Sequence, residues 1–162
     1  MSLLEPPRPA LDPALEKQRV ELADLIHRHA REDGTFTTPV EALFVSRYSR
    51  PSDFSPSHPK PALCIMAQGR KEVRLADEYF AYDPLNYLVV SVSMPISGRV
   101  LESDPEQPVL ALRLDIDPVD ITTLISDAGP MGVPSRPAGR GLYVEPIDQP
   151  MLDALLRLTR LL

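Results

Sequence analysis

A chain of 162 residues, 43% hydrophobic and 25% charged, has the length and balance of one globular domain, which argues against two full domains and against disorder. Seventeen Lys and Arg against 23 Asp and Glu leave a net charge of −6, a sign that repels phosphates and excludes nucleic-acid binding by this polypeptide alone. One cysteine cannot form an internal disulfide and suits a reducing compartment. The longest uncharged interior run, 84–98, is broken by Pro95 and is too short to cross a bilayer. No basic region precedes an apolar run at the N-terminus, so a cytoplasmic protein without a membrane partner is expected. Proline is unusual at 19 residues, more than twice the ~5% norm, and these prolines mark where elements stop.

Residues 1–11, with Pro6, Pro7 and Pro9, read as a proline-rich mobile arm, and residues 12–162 as the domain. Asp12-Pro13 is a helix start, and Leu15, Leu22, Leu25, Ile26 and His29 at helical spacing predict a helix over 13–31, with Gly34 as its stop. From Ala42 the period becomes two. Strands are predicted at 42–48, 62–68, 71–76, 78–82, 87–93, 97–103 and 109–116, with a proline-rich loop after the first and Gly69 as a turn. Seven short strands at this spacing suggest a barrel or sandwich. Asp117-Pro118 opens a second helix that ends at Gly129. The segment 129–141 holds four glycines and three prolines and reads as a loop. A last helix starts near Asp148, with Met151, Leu155, Leu158 and Leu162 at 4-3-4 spacing and Leu152 and Leu156 widening the apolar sector. It shows no C-cap, which reads as a helix cut rather than finished.

Catalytic patterns are missing. A cupin metal site needs closely spaced histidines, a carboxylate and a distant histidine on barrel strands. Here His27 and His29 fall inside the first predicted helix, about 200° apart, and His58 lies in the proline-rich loop. There is no glycine-rich phosphate loop before a helix, no G-x-S-x-G and no H-E-x-x-H. No catalytic residue, metal ligand or cofactor is therefore assigned. Cys64 sits in an apolar strand, where a buried inert thiol is the ordinary state and a pocket or redox role the alternative. The basic residues Arg70, Lys71, Arg74, Arg136 and Arg140 read as a solvated strand face and loop, with a phosphate-bearing effector as the other use.

The runs ALCIMAQGRKEVRL (62–75), YDPLNYLVVSVSMPISGRV (82–100) and PVLALRLDID (108–117), in this order, resemble the N-terminal domain of AraC-type transcriptional regulators. DGTFTTPVEALFVSRYSRP (33–51) and GLYVEPIDQPMLDALLRLTRLL (141–162) fit the same pattern. The resemblance implies a mainly β fold: a cupin-like β-barrel (double-stranded β-helix) with an N-terminal helix and C-terminal helices. It also implies a regulatory domain that binds a small effector or dimerises and controls a helix-turn-helix DNA-binding domain absent from this chain. DNA would then be met only through that domain.

Period-2 reading groups the pocket candidates without fixing the inner face. Leu63 and Ile65 share one face, Cys64 and Met66 the other, and Val73 and Leu75 point inward by polarity. Leu110, Leu112 and Leu114 form the apolar face of their strand, opposed by Arg113. Tyr48, Cys64, Met66, Tyr82, Tyr87 and Arg113 are the candidate ligand contacts, and Met151, Leu152, Leu155, Leu158 and Leu162 the candidate surface of a homodimer. A metal-dependent cupin enzyme and a ligand-free dimerisation module are the rival readings.

Overall fold

In the computed structural model, which describes residues 9–128 and 141–162, the Asp12 carboxylate accepts from the Ala14 N–H at 2.8 Å and Pro13 opens helix α1 (Pro13–His29). The Ala30 N–H closes its last turn on the Ile26 carbonyl at 2.9 Å, so the helix stops four residues before the glycine expected to end it. Gly34 instead begins β1 (Gly34–Thr37), at a φ of 143°. The chain continues through β2 (Leu43–Tyr48), β3 (Ser55–Ser57), β4 (Ala62–Gln68), β5 (Arg70–Leu75), β6 (Glu78–Tyr82), β7 (Asn86–Val90), β8 (Ile96–Glu102) and β9 (Val109–Asp115). Then follow α2 (Pro118–Ala128), β10 (Leu142–Pro146) and α3 (Gln149–Thr159). Residues 1–8 of the arm and 129–140 of the glycine-rich loop lie outside the described residues.

The strands form two antiparallel sheets, a six-stranded one ordered β1-β2-β9-β4-β7-β10 and a four-stranded one ordered β3-β8-β5-β6. Only β1–β2 and β5–β6 join neighbours in one sheet. From β2 to β9 the other turns carry the chain from sheet to sheet, the winding of the double-stranded β-helix that the family resemblance implied. Gly69 makes one crossing at φ 87°, and a Cβ there would lie 2.5 Å from Val109 Cγ2, so both conformation and space require glycine. Asp83 makes another: its carboxylate accepts from the Leu85 N–H at 2.9 Å and its carbonyl from the Asn86 N–H at 3.0 Å.

Because successive side chains alternate, the six-stranded sheet faces two cores. Its outer face packs Leu43, Val45, Ile65, Leu110 and Leu112 against Leu22 and Ile26 of α1 and Leu152, Leu155 and Leu156 of α3. Its inner face packs Met66, Leu88, Val90, Val109, Ala111 and Leu142 against Val73, Tyr82, Ile96 and Val100 of the smaller sheet. The open choice on β4 is thereby settled, with Cys64 and Met66 inside and Leu63 and Ile65 outside. Leu110 and Leu112 are apolar because they meet the helices, not because they line the barrel.

The α3 leucines expected at a homodimer surface belong to this outer core. Leu152 is 2% and Leu155 4% exposed, and Met151, Leu158 and Leu162 pack against the same cluster. Pairing them with a second copy would require α3 to leave the sheet. An ion pair and a hydrogen bond also tie the two helices, with Arg160 Nη2 2.6 Å from Glu21 Oε1 and the Gln18 amide donating to Asp153. The end of α3 is closed as well, since the Arg160 N–H donates to the Leu156 carbonyl at 2.9 Å.

A buried carboxylate cannot be accommodated at Leu155. Leu155→Glu should cost at least the ~2–5 kcal/mol of a leucine truncation, plus the carboxylate's desolvation. It should abolish cooperative unfolding in a urea titration rather than change the mass of a folded species. Arg19 is a separate tether. Its Nη1 donates to the Ala67 carbonyl at 2.8 Å, where the β4–β9 register shifts between Met66 and Gln68. Glu16 orients it through bonds of 2.8 and 2.6 Å, which raise the guanidinium's pKa and lower the carboxyl's. Arg19→Ala should lower the unfolding free energy by about 1–3 kcal/mol by leaving that carbonyl without its donor. Glu16→Gln, which removes only a partly exposed partner, should cost under about 1 kcal/mol in the same assay.

Candidate functional site

The inner face is mostly apolar, and a few polar groups interrupt it. β2 contributes Phe44 near one end and Tyr48 at the other, four residues or about 13 Å apart. At the Phe44 end, the Arg113 guanidinium lies 4.3 Å over the Phe44 ring and its Nε donates to Asp115 at 3.0 Å. Cys64 sits opposite Arg113 in the β4–β9 ladder. At the Tyr48 end, the tyrosine hydroxyl shares a 2.8 Å hydrogen bond with Thr35 Oγ1 of β1, and the Lys71 ammonium lies 5.3 Å over the Tyr48 ring. Tyr82 pairs with Lys71 across β5 and β6 and is 5% exposed.

Burial sets the chemistry of these groups. It pushes the Cys64 thiol up to about 11, against the smaller opposing pull of Lys71 and Arg113. The Tyr82 phenol is held well above its ordinary range, first by burial and then by the nearness of Cys64 and Tyr48. Neither is an activated nucleophile or base at neutral pH.

Of the sequence candidates, the structure brings Tyr48, Cys64, Met66 and Tyr82 together between the sheets and places Arg113 at one end of the same space. Tyr87 is not among them. It packs against the outer core beneath the helices, because it alternates with Leu88 and Leu88 points inward. Lys71 was misread as part of a solvated face. It is half-buried, in phase with inward Val73 and Leu75, and its cross-strand neighbours Tyr82 and Val100 are both buried. The alternation that assigned Val73 and Leu75 carried that information two residues earlier.

The barrel opens as clefts at its two ends. One of about 650 Å³ is lined by Phe44, the carboxylates Glu41, Asp115, Asp117 and Asp120, and Lys60. The other, about 350 Å³, is lined by Tyr48, Lys71, Gly98, Val100, Arg50 and Arg99, with serines from β3 and the loop before it. Histidines lie elsewhere. His27 and His29 are exposed on α1, His29 Nδ1 bonding the Leu25 carbonyl at 2.9 Å, and His58 is exposed before β4. The inner wall therefore does not fit the histidine–carboxylate metal set of a cupin. Among the described residues, no three His, Cys, Asp or Glu side chains are grouped to hold an ion, and no helix is long and apolar enough to cross a membrane.

Residues 39–162 match the family described as the AraC-type transcriptional regulator N-terminus. The chain belongs to that family. Among solved structures, it is similar to an apo lysine-to-alanine variant of ToxT from Vibrio cholerae, with 9% identity and a TM-score of 0.53. The match covers 78% of this chain and 49% of ToxT, so the AraC-type domain spans about half of that protein's length. It is also similar to KdgF from a Halomonas species, at 20% identity over 56% of this chain and 87% of that one, with a TM-score of 0.37. A conserved protein of unknown function from Streptococcus pyogenes matches at 12% identity and a TM-score of 0.37, covering 72% and 94%. No curated protein sequence matches.

The buried thiol supplies a direct check on the inner face of this AraC-type domain. Cys64 and Tyr82 both hold their protons more tightly when folded, so unfolding at high pH releases protons. Stability should be complete below the ordinary thiol value of 9.0 and should fall as pH rises toward about 11. Iodoacetamide should label native Cys64 appreciably only as pH approaches about 11, whereas the urea-unfolded chain should be labelled from about 9.

Proposed function

We propose that this AraC-type domain is the effector-sensing unit of a bacterial transcription factor, binding a small molecule between its sheets and passing that event to a separate DNA-reading domain. The observation that carries the reading is the inner face itself. Met66, Val73, Leu88 and Val109 provide an apolar wall, Tyr48, Lys71, Tyr82 and Arg113 interrupt it, and both ends open as clefts. A few polar groups set in an apolar surface can orient a ligand, and the shifted thiol and phenol are unsuited to turning it over. The net charge of −6 supports leaving DNA contact to another domain. A metal-dependent enzyme is the weaker reading, because no imidazole lies on the inner wall.

The route outward runs through β9 and β4. Val109 and Ala111 pack in the core between the sheets, while Leu110 and Leu112 of the same strand touch the core shared with α1 and α3. An effector that favours one spacing of the sheets would therefore bias the seat of α3. A homodimer would have to use surface other than the buried Leu152, Leu155 and Leu156. We place the protein in the cytoplasm, where its one thiol stays reduced.

The test is thermal unfolding of the chain against a panel of small metabolites sorted by charge and polarity. A true effector at a hundredfold excess over its Kd adds about 2.7 kcal/mol, which for a domain of this size raises Tm by about 5–10 °C. The same compound should be recovered unchanged after prolonged incubation. A panel with no stabilising member, or a compound consumed by the purified chain, would overturn the reading.

A further inference from the structure

We propose that the cleft at the Tyr48 end is an anion site, and that the effector carries a carboxylate or phosphate group that pairs with Lys71. The inference rests on the effector-sensing reading and adds the chemical class of the ligand.

Three observations lead to it. The first is the position of Lys71. It projects from β5 in phase with Val73, between cross-strand neighbours Tyr82 and Val100 that are 5% exposed each. Half-burying an ammonium costs hydration, and its contact here is the face of the Tyr48 ring at 5.3 Å. A ring face returns only part of that cost. The inward cation at the far end is treated differently, since Arg113 has Asp115 at 3.0 Å as well as an aromatic face. No carboxylate stands beside Lys71 among the described residues, so its position suits an incoming one.

The second is the lining of the cleft. Tyr48 comes from one sheet, and Lys71, Gly98, Arg99 and Val100 from the other, so the cleft bridges the gap between them. Arg50 adds a second cation, and among the described residues no carboxylate lines the cleft. Arg99 is already paired with Glu72, through bonds of 3.0 and 2.7 Å, and lies 4.5 Å over the Phe54 ring, so the charge left for a ligand is that of Lys71 and Arg50. In a chain with six more acids than bases, two cations, Lys71 and Arg50, at an opening lined by no carboxylate are a local reversal of sign. Such a concave positive region focuses the field and draws in small anions.

The third is the opposite end. There four carboxylates and one lysine line the larger cleft, so the two mouths carry opposite charge. A ligand entering the barrel with one anionic end is oriented by that difference, anion toward Tyr48 and neutral or cationic part toward Phe44. At about 350 Å³ the cationic cleft sits at the small end of the range for ligand sites, which suits one acidic head group with a short body.

The test pairs anions with neutral counterparts of similar shape: benzoate with benzamide, and hexyl phosphate with hexanol. Each is titrated calorimetrically into the chain at low and at moderate salt. Benzoate or hexyl phosphate should bind at least tenfold tighter than its neutral partner and weaken as salt rises. Lys71→Met should lower that affinity at least tenfold while leaving the unliganded Tm unchanged or higher, because an unpaired ammonium has been removed. Lys71→Arg should retain binding within about threefold, and Arg50→Ala should lose a few-fold. A neutral partner that binds as well as its anion, or an anion indifferent to Lys71→Met, overturns the anion site while the effector reading stands. If neither these probes nor any member of the wider panel binds, both readings fall together.

Discussion

The central strands of the six-stranded sheet meet a core on both faces, and this one constraint organises the molecule. A half-buried sheet shows apolar and polar residues in alternation, but β9 reads Val-Leu-Ala-Leu-Arg-Leu-Asp because each face meets a core of its own. Leu110 and Leu112 are fixed by α1 and α3, and Val109 and Ala111 by the smaller sheet. Each fully buried leucine on the helix side contributes about 1.5–3 kcal/mol, so the helices are integral to the sheet and not an appendage. The inner face can then carry small and polar residues, because the outer core already anchors the strands. A barrel stabilised only from within would need to fill its interior. This one has a second source of stability and tolerates Cys64, Lys71 and Arg113 on its inner face.

That two-sidedness also explains which parts of the fold were legible in the sequence. The long helices and seven strands announce themselves through Asp-Pro starts, leucine spacing and period-2 runs. The three strands that escaped are short or lie at sheet edges. β1 carries Phe36 as its one large apolar residue, β3 is Ser-Pro-Ser, and β10 ends in a proline. Edge positions tolerate a proline that lacks an N–H, so the usual strand signals fail there for a physical reason. The α3 apolar sector was legible only in part. Spacing shows that a helix has an apolar sector but not whether its own domain or a second copy covers it, and here Leu22 and Ile26 of α1 cover it.

The candidate site was legible in part. Tyr48, Cys64, Met66 and Tyr82 follow from alternation once the inner face is known, but nothing in the β4 sequence chooses between Leu63 and Cys64 as the inward residue. The answer depends on α1 lying against Ile65 and Ala67, a contact more than forty residues distant in the chain. Tyr87 failed for the same reason in reverse, its ring being absorbed by the helix-side core. Lys71 was hidden by its chemistry. A lysine beside an arginine at a strand start suggests water, and only its phase with Val73 shows otherwise.

Charge completes the picture. The Phe44 mouth is acidic and the Tyr48 mouth basic, and the strands joining them are those whose reverse faces seat the helices. Arg113 is already balanced by Asp115, so binding near it would have to displace an existing pair. Lys71 has only the ring of Tyr48. Tyr48 is in turn bonded through its hydroxyl to Thr35 on β1, and its carbonyl accepts from the Ser103 hydroxyl, which also receives the Val109 N–H at 3.0 Å. A shift of Tyr48 would therefore be passed to the start of β9, whose next residue, Leu110, lies in the core beneath the helices. The cation of the basic mouth and a hydrogen-bonded path to the outer core thus meet at the same tyrosine.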